Sequence, residues 1–582
     1  MGHYRRALGF ALPYWKRLGF VLFVSMFATL LGLAQPYFLK VLIDDAFLAQ
    51  NFSLLVRISL LLFAVSVVSV VLNAVSGYRY IQVSTEALFD IRLRVFRHLQ
   101  TLSPRFYAKT KMGDILSRLN GDVSEIQRIA SDTLLSFLTN VVFLGGTVTL
   151  LIYLEPRLFL LSIALVPPSI WVLRRYRTQV TDKNLELRER SADIGSFLVE
   201  SFLGMRQTVA SRQEGREAAR FREKNDRFVR ALLDRQITNY LASGIPGVLL
   251  SVSTLAVFLA GGYLVLSGSF SMGSFVAFTA YQARLLGPLS GLMGLYLSLR
   301  AAGASLDRVF ELLDEPAEVE ERPDATGLTS MRGEIELRHV GLDHERETVL
   351  DDVSFKVAPA TMTAIVGPSG VGKSTIVDLI LRRLDVDRGE LLVDGIDVRK
   401  LRLDDLRRHV AVVEQETFLW NASIEENIRY GRPEASSRDV ENSARLAGIH
   451  EVILKMPEGY LTQVGERGLQ LSAGQRQRIA IARAILQDAT VLVLDEATSA
   501  LDGETEASIA EALLPLVRHR TTLVFSHRLP LIAKADRVLV LEDGRIVQDG
   551  TALTLSREEG TFQRMFGSEE SLSPAGKSPK SA

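Results

Sequence analysis

Between Arg235 and Arg284 the chain runs for 48 residues without a charge. Such a run is too long for an ordinary soluble core helix, and more than twice the roughly 20 apolar residues that cross a bilayer once. The turn-like stretch SGSFSMGS at 267–274 divides it into two crossings, the second continuing past Arg284 towards Arg300. Four more candidates precede it. Leu18–Leu39 is 22 uncharged residues, about 33 Å of helix. Ile58–Tyr78, Thr133–Leu154 and Leu158–Leu173 follow, the last short and carrying Pro167 and Pro168. Any one of these could be a buried core helix; six of them predict a membrane domain.

Basic residues set the orientation. The first 17 residues hold four Lys or Arg and no acid, the segment 79–131 holds nine, and 173–237 holds fifteen. The short connections AFLAQNFS, EPR and SGSFSMGS hold one Arg between them. The positive-inside rule therefore predicts a cytosolic N-terminus and two long cytosolic segments. Helical spacing in STEALFDIRLRVFRHLQTL and ERSADIGSFLVESFLGMRQTV extends spans two to five below the membrane, to short turns near 106–114 and 199–206. The first 17 residues are amphipathic and lack a small-residue cleavage site, which favours an interfacial helix over a signal peptide.

Residues 333–566 read as a soluble α/β domain. A formal net charge of zero argues against nucleic-acid binding driven by bulk charge. The chain has no cysteine, which excludes disulfides, thiolate zinc sites and a cysteine nucleophile. TMTAIVGPSGVGKSTIVDLIL is strand, glycine loop and helix, and satisfies G-x-x-x-x-G-K-[ST] through Gly367, Gly372, Lys373 and Ser374. The loop backbone and the helix N-terminus suit a phosphate chain; Lys373 can reach its outer phosphates and Ser374 can ligate Mg2+. VLVLD at 491–495 has the all-apolar character of a strand buried on both faces of a parallel sheet. Asp495 at its end can hold Mg2+ through water, and Glu496 can polarise a water aimed at the γ-phosphate. Alone, an Asp-Glu pair after a strand is usually a helix start; behind a phosphate loop it reads as chemistry.

With these motifs the soluble half resembles an ABC-transporter nucleotide-binding domain. LSAGQ at 471–475 is similar to that family's signature LSGGQ, Gln415 in VVEQETFLW matches its Q-loop, and TQVGERG at 462–468 its exporter X-loop. SALD at 499–502 matches the D-loop, and His527 in TTLVFSH the switch histidine. The front half, with GDILSRLNGDV at 113–123, is similar to a B-family half-exporter of the multidrug or lipid-A flippase type. The fold implied is a membrane domain of six transmembrane helices fused to an α/β P-loop ATPase. Its expected boundaries are 1–314 for the membrane domain, 315–332 for a linker, 333–566 for the nucleotide-binding domain and 567–582 for a disordered tail.

The resemblance implies ATP and Mg2+ as cofactors. Gly367, Pro368, Ser369, Gly370, Val371, Gly372, Lys373, Ser374 and Thr375 would cradle the phosphates, while Ser374, Gln415 and Asp495 would hold Mg2+. Glu496 and His527 would be catalytic. The signature Leu471, Ser472, Ala473, Gly474 and Gln475 acts across a head-to-tail dimer, with Ser499, Ala500, Leu501 and Asp502 beside it. Two departures stand out: Ala473 replaces the signature's first glycine, and the usual adenine-stacking Tyr falls on His344. Glu496, His527 and the signature survive together, so a homodimer with two equal sites is expected, a heterodimer being the alternative. The implied activity is ATP-driven export or flipping of an amphipathic lipid, peptide or drug-like compound, from a multi-pass position in the inner (plasma) membrane with the nucleotide-binding domain in the cytosol. An importer of a metal chelate and an ATP-gated channel are the competing readings.

Arg284 carries the cargo expectation. It lies about 18 Å into the last span, where a guanidinium is costly unless it faces a cavity or a partner. With Tyr281 and Gln282 it could line the translocation cavity and attract an anionic group; the alternative is bonding to backbone carbonyls or hydroxyls.

Overall fold

The computed structural model describes residues 6–7, 9–10, 12–128, 133–344, 347–496, 517 and 520–567. Ser499, Ala500, Leu501 and Asp502 and the tail after Gly567 lie outside the described residues. The backbone forms two compact units, Met1–His98 with Met112–Asp314, and Leu99–Lys111 with Glu315–Ala582.

The first unit is built of long helices: α1 (Trp15–Val41), α2 (Phe52–Leu99), α3 (Leu134–Leu154), α4 (Pro156–Ile163), α5 (Val166–Leu203), α6 (Glu214–Leu266), α7 (Met272–Arg284) and α8 (Leu286–Asp314). Among the described residues, five helical stretches are long and apolar enough to cross a membrane. The sixth crossing is not one continuous helix, as the sequence suggests, but α7 and α8 with a break at Leu285. Pro288 explains it: proline has no N–H for the carbonyl four residues back, at Arg284, and its ring crowds that carbonyl. The same chemistry at Pro167 and Pro168 accounts for the interruption between α4 and α5. Further along, α5 and α6 lie side by side. Arg235 Nε donates to Asn184 Oδ1 at 2.7 Å, Lys183 pairs with Asp234 at 3.5 Å, and Phe197 stacks on Phe221 at 6.2 Å.

Leu33, Leu151, Leu158, Val257, Phe278 and Tyr281 form a core that joins α1, α3, α4, α6 and α7. Polar contacts tie α7 to α1 and to the turn after it. Pro36 lies inside α1 and leaves the Gly32 carbonyl without its i+4 donor. Arg284 fills the vacancy: Nη1 donates to Gly32 O at 3.0 Å and Nη2 to Gln35 Oε1 at 3.3 Å. One turn earlier the buried Tyr281 hydroxyl donates to Leu33 O at 2.5 Å. The start of α7 is held by Asp44, in the π turn Leu42–Phe47, which accepts from Gly273 N at 2.7 Å and Ser271 Oγ at 2.6 Å. Of the two readings of Arg284, this arrangement is the bond to backbone carbonyls. We expect Arg284→Ala to cost about 1 kcal/mol, and clearly less in a Pro36→Ala background where the new N–H satisfies Gly32 O. Thermal unfolding of the four proteins in one lipid mixture measures this; additive losses would disprove the pairing.

The second unit holds two sheets. One is antiparallel, in the order β2 (Glu347–Val357), β1 (Ile335–His344), β4 (Arg388–Val393), β5 (Ile396–Asp397). The other runs β10 (Arg545–Gly550), β9 (Arg537–Glu542), β3 (Met362–Val366), β8 (Thr521–Phe525), β7 (Val491–Asp495), β6 (Val410–Val413). Its strands β9, β3, β8, β7 and β6 are parallel, and β3 and β8 are buried throughout, as suits strands covered on both faces. Helix α9 (Lys373–Ile380) follows β3, and α10 (Ala473–Gln487) precedes β7.

Residues 315–332, the expected linker, bond along this unit. Thr326 pairs with Leu401, Leu328 N donates to Asp405 Oδ2 at 3.1 Å, and Met331 is buried. The segment 99–111, with its short helix Pro104–Lys109, belongs here too. Tyr107 and Pro104 border a 1070 Å³ recess shared with Val319, Arg383 and Arg407.

Candidate active site

In a parallel sheet the loops after the strands gather at one edge, where α/β proteins bind ligands. Here four adjacent strands deliver their groups to that edge. The phosphate loop follows β3, His527 comes two residues after β8, Asp495 ends β7, and Gln415 comes two residues after β6. Residues distant in sequence thus meet because their strands are neighbours.

The phosphate loop needs its glycines. A Cβ on residue 367 would sit 2.1 Å from the Leu541 carbonyl, and Gly372 opens α9 at φ 106°, a left-handed conformation. Pro368, Ser369, Gly370 and Ser374 lie exposed on the loop, while Val371 and Thr375 are half-buried. The Lys373 ammonium is turned onto the protein: it donates to Gly367 O at 2.7 Å and Pro368 O at 2.9 Å, and lies 3.0 Å from His527 Nε2. Burial pulls its pKa below the usual value, although Glu496 and Asp495 raise it. Burial and then the Lys373 charge hold His527 low as well, with Glu496 opposing.

Glu496 is fixed from several sides. Its backbone adopts φ 46°, uncommon for a residue with a side chain and frequent at functional sites. Its N–H donates to Phe525 O at 2.8 Å, Gln415 Nε2 donates to Oε2 at 2.8 Å, and His527 Nε2 lies 3.4 Å from Oε1. Asp495 is pushed up to about 6, first by burial and then by Glu496, Glu414 and Asp378, with Lys373 opposing. This edge therefore concentrates negative charge beside one lysine.

Three charged residues of this edge escape a motif reading. Arg383 Nη1 donates to Asp378 Oδ1 at 3.2 Å and Nη2 to Glu414 Oε1 at 2.6 Å, tying α9 to the residue before Gln415. Burial raises the Asp378 carboxyl despite Arg383. The only sequence signal was two arginines, Arg382 and Arg383, closing an apolar helix; Arg382 is fully buried on Leu401 O, Glu320 O and Asp385.

The signature residues open α10. Ser472 caps it, its Oγ accepting from Gln475 N at 3.2 Å while Gln475 Oε1 accepts from Ser472 N at 2.9 Å. Leu471 is buried, Ser472 exposed, and Ala473 and Gly474 half-buried, so this helix start faces outward. His344 ends β1, exposed. Tyr281 borders an apolar 660 Å³ recess with Leu33, Tyr37 and Thr149. Gln282 Oε1 is buried with no hydrogen-bond partner among the described residues.

Comparison with known proteins agrees with this geometry. Residues 18–289 match the family described as ABC transporter transmembrane region, and 350–499 the family described as ABC transporter. YgaD of Bacillus subtilis (strain 168), which bears the name of a multidrug export ATP-binding/permease protein, is 35% identical over 97% of this chain and 99% of its own. An ATP-dependent lipid A-core flippase of Syntrophus aciditrophicus (strain SB) is 32% identical over 97% of this chain and 94% of its own. The structure of a bacterial Atm1-family ABC exporter with ATP bound superposes with a TM-score of 0.79 at 28% identity, covering 94% of this chain and 97% of that one. A helical membrane unit fused to a P-loop unit, over this length and with these motifs, makes the chain a member of the ABC transporter family, a half-transporter that drives export with ATP hydrolysis.

Proposed function

We propose that two copies of the chain form a homodimer that moves an amphipathic compound, whether lipid, peptide or drug-like, outward from the cytosolic side. The convergence of Gln415, Glu496, His527 and Lys373 on one sheet edge, in a chain that also keeps Ser472 exposed at the start of the signature helix, carries this reading. Each nucleotide would lie between one copy's phosphate loop and the other copy's Ser472 and Gly474, because each chain has one of each. His344 would stack on the base, and Ser499 to Asp502 would lie at the dimer seam. Ser374, Gln415 and Asp495 would hold Mg2+, which suits the crowded carboxyls around Asp495 and would neutralise charge on the outer phosphate oxygens. Lys373 would exchange its loop carbonyls for phosphate oxygens. Glu496, released from Gln415, would orient a water and take its proton. His527 would hydrogen-bond the γ-phosphate.

The basic segments 79–131 and 173–237 favour a setting in the inner (plasma) membrane, with the N-terminus and nucleotide unit cytosolic. Tyr281, beside the 660 Å³ recess, and its chain neighbour Gln282 are the cargo-contact candidates, Arg284 acting with them once released from Gly32 O. The chain expressed and purified alone in lipid nanodiscs is expected to be dimeric and to hydrolyse ATP, faster with some members of an amphiphile panel. Monomers without ATPase activity would overturn the homodimer in favour of an obligate unlike partner.

A further inference from the structure

Far from the nucleotide site, Lys16, Arg17, Phe20, Arg79, Gln82 and Val83 line a 410 Å³ recess between α1 and α2. The two helices fix its depth independently. The 27 residues of α1 from Trp15 to Val41 rise about 40 Å, and α2 rises about as much between Phe52 and Arg79. A bilayer with its headgroups is about 40–45 Å thick. With Val41 and Phe52 at one interface, Lys16 and Arg79 fall in the headgroup layer of the other. The helices are joined nearby, where the Ser76 and Ser25 hydroxyls lie 2.6 Å apart and Ser76 Oγ donates to Val21 O at 3.3 Å.

Charge around the recess does not balance. Arg17 Nη1 donates to Glu86 Oε2 at 2.5 Å, Gln82 Nε2 to Glu86 Oε1 at 3.4 Å, and Arg79 Nη1 to Gln82 Oε1 at 3.2 Å. Lys16 lies 5.8 Å from the Trp15 ring centroid. Asp90, the next acid along α2, accepts from the Tyr14 hydroxyl. Among the described residues, three cations thus face one carboxylate. Trp15 and Tyr78, 64% and 70% exposed, flank the recess as interfacial aromatics do.

We propose that this recess binds the phosphate of an anionic phospholipid in the leaflet at the Trp15 end of α1. Lys16 and Arg79 donate to the phosphate oxygens, Arg17 stays with Glu86, and Phe20, one turn deeper than Lys16, meets the first acyl methylenes. The site rests on the membrane setting alone, so its failure would leave the export reading intact.

Trp15 makes a built-in probe once Trp171 and Trp420 are replaced by Phe. In nanodiscs of phosphatidylcholine, phosphatidylglycerol brominated near the headgroup should quench Trp15 in strong preference to phosphatidylcholine brominated alike. At about a factor of five for each basic side chain, the Lys16→Gln/Arg79→Gln double variant should lose roughly 25-fold of that preference. Lys16→Arg/Arg79→Lys should keep it. Both residues are exposed on the helix surfaces, and unchanged basal ATPase reports intact folding. Equal quenching by the two lipids in the unsubstituted recess overturns the proposal without any variant. Loss of the preference on adding inorganic phosphate also overturns it, in favour of a free-anion site.

Discussion

Glu496→Gln should bind ATP as the parent does and hydrolyse it two to four decades more slowly, the range removed with a positioned general base. The substitution keeps the side chain's shape, and the amide oxygen can still accept from Gln415, 2.8 Å away in the parent, so loss of turnover reports loss of basicity. His527→Ala should impair turnover similarly for a different reason. It removes the imidazole that sits 3.0 Å from the Lys373 ammonium and 3.4 Å from Glu496. Nucleotide-binding titrations beside steady-state ATPase separate the outcomes. Parental turnover in Glu496→Gln would end the assignment of that carboxylate as base, and weakened binding would make it a structural residue.

Asp122→Ala should markedly shorten the survival of the solubilised protein on heating. Arg308 forks onto Asp122, Nε to Oδ2 at 2.8 Å and Nη2 to Oδ1 at 2.5 Å, joining the π turn Arg118–Asp122 to α8. The Asp122 side chain is only 10% exposed. Breaking a buried ion pair costs about 3–5 kcal/mol, and Arg308's partial exposure reduces this to about 1–3. Burial raises the Asp122 carboxyl, but the Arg308 and Ser305 bonds outweigh it and leave the group below its ordinary value. A depressed carboxyl contributes fully above the unfolded value, about 4, and loses its contribution as pH falls through the folded one. The difference between parent and variant should therefore be level from about pH 5 to 8 and shrink below about 4. A difference that persisted in acid would mean that packing, not the ion pair, explains the loss.

Asp122 also marks the limit of what a sequence conveys. GDILSRLNGDV is recognisable as a stretch, yet nothing local reveals that its aspartate reaches Arg308, 186 residues away. The phosphate loop and the VLVLD strand are legible because their chemistry is contiguous: glycine spacing, an apolar run, a carboxylate at its end. Their meeting with His527 and Gln415 depends on strand order, which the family resemblance supplies and periodicity does not. The network of Asp378, Arg383 and Glu414 is invisible for the same reason, since it joins α9 and the turn after it to the residue that follows β6. The break at Leu285 is the opposite case. Pro288 obeys a local rule, but the charge-free run around it speaks more loudly of length than of continuity. Arg284 stayed undecided because its acceptor is a carbonyl exposed by a proline on another helix.

The pairing of α5 with α6 has a mechanical consequence. At 53 residues, α6 is about 80 Å long, and a bilayer core takes up only about 30 Å of it. Two rods joined along their sides by Arg235, Lys183 and the Phe197–Phe221 stack resist bending more than one rod does. A stiff beam pivoting where it leaves the bilayer is a lever with unequal arms, about 30 Å against about 50 Å. Small tilts inside the membrane become strokes about 1.7 times larger at the free tip, and force applied at the tip returns to the membrane multiplied by the same ratio.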